Sequence, residues 1–354
     1  MTDFIASDRE RASTHANENL DEAARAHARD GDDAKFFACV ARGADPTTTN
    51  DKGETAMMLA AQSDARRIVY ALLDAGAPWY QVDDDGACAG EHAAGHGNVE
   101  LARGMMERAR DIECDRGRRA MASGGRALGE GESSKDDERV GYLATSATYD
   151  GEERLLDAEG DAVMMTWETP LMKAHADVIA RRGGDVLNVG FGLGVIDEFL
   201  AAKETTSHVI VEAHPDVRKH MTRKGWDDRP RVQIEFGRWQ DVIPRFIERN
   251  VTFDGVFFDT YGEEYDDMRV FHAMLPKILK PGGVYSYFNG MCPDNAFFHS
   301  VYNLVAEREL SEIGFKVTFD VVPIDASADA IWNGVKRRYW WGNKYFLPTC
   351  VFEG

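Results

Sequence analysis

Beyond residue 140 the chain alternates short, continuous apolar runs with stretches whose apolar residues recur every three or four positions. The runs DVLNVG (185–190), HVIVEA (208–213), RVQIEF (231–236), DGVFFDTY (254–261), GGVYSYFNG (282–290) and FKVTFDVVPI (315–324) have the length and β-branched or aromatic content of buried strands. Strands without polar alternation, separated by helices, predict a mostly parallel sheet covered on both faces, with ligand sites at the carboxyl ends of its strands. Residues 140–354 are therefore expected to form one α/β domain. Before it the pattern fades: residues 123–139 read SGGRALGEGESSKDDER, with hardly an apolar side chain to bury. A flexible linker is expected over 111–139.

The first third carries a repeat. Gly43 and Gly76 lie 33 residues apart, as do Gly53 and Gly86, and Leu59-Ala60-Ala61 returns one period later as His92-Ala93-Ala94. Ile68, Val69, Leu72 and Leu73 give a helical stripe, and Phe36, Phe37 and Val40 before Gly43-Ala44-Asp45 look like the end of a preceding unit. The period and the segment Asn50 to Ala61 resemble ankyrin repeats, which implies a small all-α domain over 20–110, a stack of two to three helix pairs with a role in docking proteins.

The chain has 354 residues, 41 Lys and Arg against 61 Asp and Glu, and a formal net charge of −20. Such a balance repels phosphate backbones and anionic membranes, so direct nucleic-acid binding is not expected and a basic partner is. No run approaches the roughly 18 apolar residues of a membrane span, and the first residues lack the basic and apolar regions of a secretory signal. Cys39, Cys88, Cys114, Cys292 and Cys350 are odd in number and contain no CxxC pair. Reduced thiols in the cytoplasm or nucleus are the simplest expectation. The ten histidines form no HxH or HExxH pair, so no metal site is expected.

The run DVLNVG leads directly into Gly190-Phe191-Gly192-Leu193-Gly194 and a helical segment, and Glu212 follows 22 residues after Gly190, at the end of the next strand. The turn lets backbone approach a ligand at a helix N-terminus, and the acid can accept from both hydroxyls of a ribose. A nicotinamide dinucleotide loop calls for G-x-G-x-x-G so that pyrophosphate can rest on the helix; the spacing here is G-x-G-x-G. A ligand without phosphate, S-adenosylmethionine, fits better.

Two further acids stand out. Asp259 ends the apolar run FFDTYGEE, at the substrate end of a strand, although a capping acid can occupy that place. Glu168 is the only charge in VMMTWETPLM, and alone it could be a helix-start acid favoured by the macrodipole. Tyr261, Glu263, Glu264 and Tyr265 form an acidic loop that either meets substrate or is solvated. His272 reads as structural, Trp332, Trp340 and Trp341 as core, and Lys336-Arg337-Arg338 is too short a basic run to suggest nucleic acid.

Taken in order, VMMTWETPLM, LNVGFGLG, VIVEAH, GRWQDV, FDTYGEEY and LKPGGVYSYFNG resemble the guanidinoacetate N-methyltransferases. They are still more similar to the arginine delta-N-methyltransferases, which carry ankyrin repeats; that resemblance covers nearly the whole chain, through Tyr142-Leu143 to Arg338-Tyr339-Trp340 and Leu347-Pro348. It implies a class I S-adenosylmethionine-dependent methyltransferase in which Gly190, Phe191, Gly192, Gly194, Glu212, Trp239, Gln240, Met165 and Asp259 hold the cofactor. Glu168, Trp167, Met172, Asp259, Thr260 and Tyr261 would contact substrate, with Glu168 and Asp259 the catalytic pair holding a guanidino group. It further implies methylation of the delta nitrogen of arginine in a ribosomal protein, which the ankyrin units help to recruit. Gln240 and Gly262 stand where the guanidinoacetate enzymes have Glu and Pro, and both departures favour the protein-arginine branch. A small-molecule guanidino methyltransferase and a non-catalytic ankyrin adaptor are the alternatives.

Overall fold

A computed structural model describes residues 19–123 and 141–354. Among them two compact units are distinguished, one from residues 19–113 with 295–305, the other from 114–123 and 141–294 with 306–354.

In the first unit, helices over 19–29 and Asp33–Ala41, Ala56–Gln62 and Arg66–Asp74, and Ala89–Gly95 and the part of Val99–Ala122 up to residue 113 form successive pairs. Ile68, Val69, Leu72 and Leu73 are buried on one helix face, as their spacing predicts. The turns repeat their hydrogen bonds at the sequence period: the Asn50 side chain accepts from the backbone of Lys52 and Glu54, and Asp83, 33 residues on, accepts from Asp85 and Ala87. Gly53, at φ +75°, has a further reason to lack a side chain, since a Cβ there would meet the Asp84 carboxylate at 2.7 Å. Trp79 is buried, donating its indole N–H to Glu113 at 3.1 Å.

The expected linker begins inside a helix. Val99–Ala122 runs through residues 111–122, and only 124–139 of that segment lie outside the described residues. The buried positions in this stretch are Glu113, Cys114, Gly117 and Ala120, so the stripe contains no large apolar side chain and a search for such residues passes over it.

The second unit opens with a three-stranded antiparallel sheet: β1 (Thr148–Asp150), β2 (Arg154–Leu156) and β3 (Ala162–Met165). A seven-stranded sheet follows, with β4 (Gly184–Val189), β5 (Thr205–Glu212), β6 (Val232–Phe236), β7 (Phe253–Phe258), β8 (Leu279–Tyr287), β9 (Phe315–Pro323) and β10 (Lys344–Phe352). Their order is β6-β5-β4-β7-β8-β10-β9. The first five run parallel, and β10 lies antiparallel to both β8 and β9. The mostly parallel α/β architecture is as expected; β10 is a strand the apolar runs did not reveal. After β4 the chain leaves toward β5 on one side, while β7 occupies the other, so the order reverses between β4 and β7. A crevice at the carboxyl ends of the strands belongs at such a switch point.

Candidate active site

The residues singled out by the sequence gather at that switch point. Gly190 follows β4 directly and Asp259 follows β7, and the Asp259 N–H donates to the Val189 carbonyl at 2.9 Å, which extends the parallel pairing one residue past the strand. A Cβ on Gly190 would stand 1.8 Å from the Asp259 carbonyl oxygen, and Gly190 adopts φ +97°. Glycine is thus required there on two counts.

Glu212 ends β5 and is buried. Its Oε2 accepts from the Phe191 N–H at 2.9 Å and its Oε1 from the His214 N–H at 2.6 Å. Burial raises its pKa, while these backbone donors, with Ala213, act to lower it. Each oxygen retains a lone pair for a ligand hydroxyl.

Glu168 sits between β3 and the helix Thr169–Ile179, and is buried. Oε1 accepts from the Met165 N–H at 3.0 Å and from the Tyr339 hydroxyl. Tyr339 in turn accepts from the Trp167 indole N–H at 3.0 Å. Burial, with the nearby Asp259 charge adding to it, pushes the Glu168 carboxyl up to about 8, against the pull of Tyr339 and Met165. Asp259 is half-buried on the surface of the site, and desolvation lifts it to about 7. Among the described residues neither acid pairs with Lys, Arg or His. Two desolvated carboxyls without a cation are costly to keep ionised, and the natural remedy is a cationic ligand.

A second cluster closes the floor beyond β6 and β7. Glu263 accepts from the Trp239 indole N–H at 2.8 Å, the Gln240 amide at 2.8 Å and the Thr260 hydroxyl at 2.7 Å. A carboxylate only accepts, so the Gln240 amide must turn its NH₂ toward Glu263 and its oxygen outward. Tyr261 donates to Asp157 at 2.8 Å, tying the loop after β7 to the turn between β2 and β3.

Not every expected contact is made by the expected atoms. β3 alternates faces, so Met165 enters the core around Leu171, Trp332, Trp340 and Tyr345, and it is Met164 whose sulfur accepts from Leu193 in the glycine loop at 3.3 Å. The Phe191 ring packs in the core against Trp226, leaving its backbone to the loop, and Met172 is buried beside Phe257. Gly192 and Gly194 leave no space for a Cβ, which would strike Met164 and the Phe191 ring at 2.6 and 2.4 Å. Trp167 is half-buried, facing Trp332, Tyr339 and Trp340. His175 is held between Ser286 and Tyr345, and burial keeps it at about 3; His272 is likewise buried, at about 3, against Tyr285. Both are neutral at physiological pH and packed as structural groups. Nothing local in Arg338-Tyr339-Trp340 or FDTYGEEY signals the contact of Tyr339 with Glu168 or the hub role of Glu263. A separate open groove of about 710 Å³, lined by Tyr149, Lys219 and Arg223 among others, includes neither acid.

Comparison with known proteins bears on this geometry. Residues 127–351 match the family model of guanidinoacetate N-methyltransferase, and residues 20–116 match ankyrin repeats in three copies. The chain is 40% identical over 225 residues to protein arginine N-methyltransferase 2 of Yarrowia lipolytica, covering 60% of this chain and 47% of that protein. It is 39% identical over 213 residues to the protein of that name from Aspergillus oryzae, covering 60% and 51%, and 35% over 217 residues to that of Saccharomyces cerevisiae, covering 60% and 52%. The chain spans about half the length of the curated relatives it matches.

Proposed function

The chain belongs to the guanidinoacetate N-methyltransferase family, and from that premise we propose that it transfers a methyl group from S-adenosylmethionine to the delta nitrogen of arginine in a basic protein, a ribosomal protein being the class expected. One observation carries the reading: Glu168 and Asp259, brought together from distant parts of the chain, are desolvated, close enough that the Asp259 charge raises the cost of ionising Glu168, and unpaired with any described cation. A guanidinium is planar, always charged, and presents donors in a fork that two carboxylates can grip.

The residues fit the cofactor. Glu212 keeps lone pairs for a ribose diol, the glycine turn brings backbone to the mouth of the crevice, and Gln240 presents an amide oxygen that suits an exocyclic amine. When bound, S-adenosylmethionine supplies an electrophilic methyl on a positive sulfonium. The chain's own residues do the rest. Glu168 and Asp259 fix the plane of the guanidinium and draw its charge toward the outer nitrogens, which turns the delta nitrogen lone pair toward the methyl donor. Asp259 takes the proton the guanidinium loses as the new C–N bond forms, so the methylated product keeps its single positive charge. Water excluded from the crevice strengthens each of these interactions.

The ankyrin unit and the net charge of −20 support a basic protein as partner, and the five free cysteines support the cytoplasm or nucleus as the setting. The test is methyl transfer from labelled S-adenosylmethionine to ribosomal proteins and, in parallel, to guanidinoacetate, with fragment-ion mass spectrometry locating the methyl. Label on the delta nitrogen of a protein arginine is expected. Label on guanidinoacetate alone would move the protein to small-molecule chemistry, and no label with no cofactor binding would leave an ankyrin adaptor.

A further inference from the structure

We propose that Tyr339 is a positioning residue for Glu168, holding one carboxylate oxygen so that the other is turned to the ligand. Both donors that reach Glu168, the Met165 N–H and the Tyr339 hydroxyl, end on Oε1. Oε2 has no partner among the described residues and is the oxygen left for a cation. The direction of the Tyr339 bond is fixed by its neighbours. The Trp167 indole can only donate, so its N–H at 3.0 Å occupies a lone pair of the Tyr339 oxygen, and the hydroxyl proton is free to go to the carboxylate. Trp167, Tyr339 and Glu168 thus form a one-way chain of donors in which each bond polarises the next.

The chain is held by packing that survives loss of the hydroxyl. The Tyr339 ring stands edge-on to Trp332 with centroids 5.0 Å apart and lies 5.7 Å from Trp167, and Trp332 is itself buried. Tyr339 is 171 residues from Glu168 along the sequence, so the segment leading into β10 completes a site whose carboxylates come from the ends of β3 and β7. Its chemical effect is to favour ionised Glu168, opposing the burial that favours the neutral acid. An ionised, fixed Glu168 is what a guanidinium needs.

This inference rests on the guanidinium reading of the site, and its test separates the two. Tyr339→Phe removes the hydroxyl and keeps the ring; Trp167→Phe keeps Tyr339 and removes the donor behind it. The Glu168 carboxyl is titrated directly in the full chain by carbon NMR of carboxyl-labelled glutamate, assigned by its loss in Glu168→Gln. Transfer to an arginine acceptor is followed across pH in parallel. Tyr339→Phe should raise the Glu168 midpoint by about one pH unit, and move the acid limb of kcat/KM with it, while cofactor affinity stays unchanged. Trp167→Phe should move both in the same direction by less, and it carries the test if Tyr339→Phe does not fold. An unchanged midpoint in a folded variant overturns the role of Tyr339. A shifted midpoint in a protein that methylates no guanidino compound upholds that role and overturns the proposed function instead.

Discussion

The carbonyl oxygen of Asp259 occupies the space in which a side chain on residue 190 would have to begin, 1.8 Å from an ideal Cβ. The two positions follow adjacent parallel strands, β4 and β7, so the glycine that opens the turn after β4 also sets how closely the acid after β7 can approach it. Gly190→Ala should therefore do more than strain one residue. Displaced backbone and a left-handed alanine together should cost about 2–5 kcal/mol in chemical denaturation, with loss of cofactor binding. Gly225, at φ +73° but with nothing within 4 Å of its Cβ position, is the control, and Gly225→Ala should cost about 1 kcal/mol. Equal costs at the two positions would contradict the close approach.

Raised carboxyls make cation binding depend on pH. With Glu168 near 8 and Asp259 near 7, the free site at neutral pH holds part of its protons, and a guanidinium favours the ionised forms. Binding of an arginine peptide in the presence of S-adenosylhomocysteine should release protons at pH 7 and tighten as pH rises from 6 to 9. Calorimetry in buffers of different ionisation enthalpy reads the number released. Proton uptake, or affinity flat with pH, would mean that the acids do not meet the cation.

The same burial predicts a trade of stability for function. The Glu168 pKa is raised from an ordinary 4.5 to about 8 on folding, so the folded state is favoured by the protonated acid below 4.5, and that advantage is lost as pH climbs through 8. Glu168→Gln keeps an acceptor for Tyr339 and Met165 and carries no charge. It should match the wild type near pH 4 and exceed its stability by about 1–3 kcal/mol at pH 9. Urea midpoints at the two pH values check this; a variant less stable at pH 9 would show that the carboxylate is compensated in the fold.

Glu263 joins three donors from two elements, Trp239 and Gln240 at the start of one helix and Thr260 in the loop after β7. Glu263→Ala should free the Gln240 amide to rotate and weaken cofactor binding about tenfold, with a smaller effect on the affinity for an arginine peptide. Fluorescence titration with S-adenosylhomocysteine measures it. Unchanged affinity would remove Gln240 and Glu263 from the cofactor site.

How far the sequence foretold the site follows from the range of each interaction. Strand runs, the glycine spacing and the acids at strand ends are local patterns, and each was legible. The Met164 and Met165 exchange shows the limit, because a shift of one residue in a strand inverts the face and nothing in a string of two methionines fixes it. Phe191 lies within the glycine turn, yet a side chain next to glycines can face the core while its backbone faces the crevice. Tyr339 reaches Glu168 across 171 residues, and no periodicity encodes such a contact. The helix through residues 111–122 escapes an apolar pattern because its buried positions, Glu113, Cys114, Gly117 and Ala120, include no large apolar side chain.

The most direct test of the central claim is Asp259→Asn, measured for single-turnover methyl transfer to an arginine acceptor and for S-adenosylmethionine affinity on the same preparation. The substitution keeps the shape and removes the charge and the proton acceptor. Transfer should fall by about 10³-fold while cofactor affinity changes by less than about threefold. Parallel losses in transfer and cofactor affinity, or full activity, would contradict a site in which Asp259 and Glu168 hold the guanidinium.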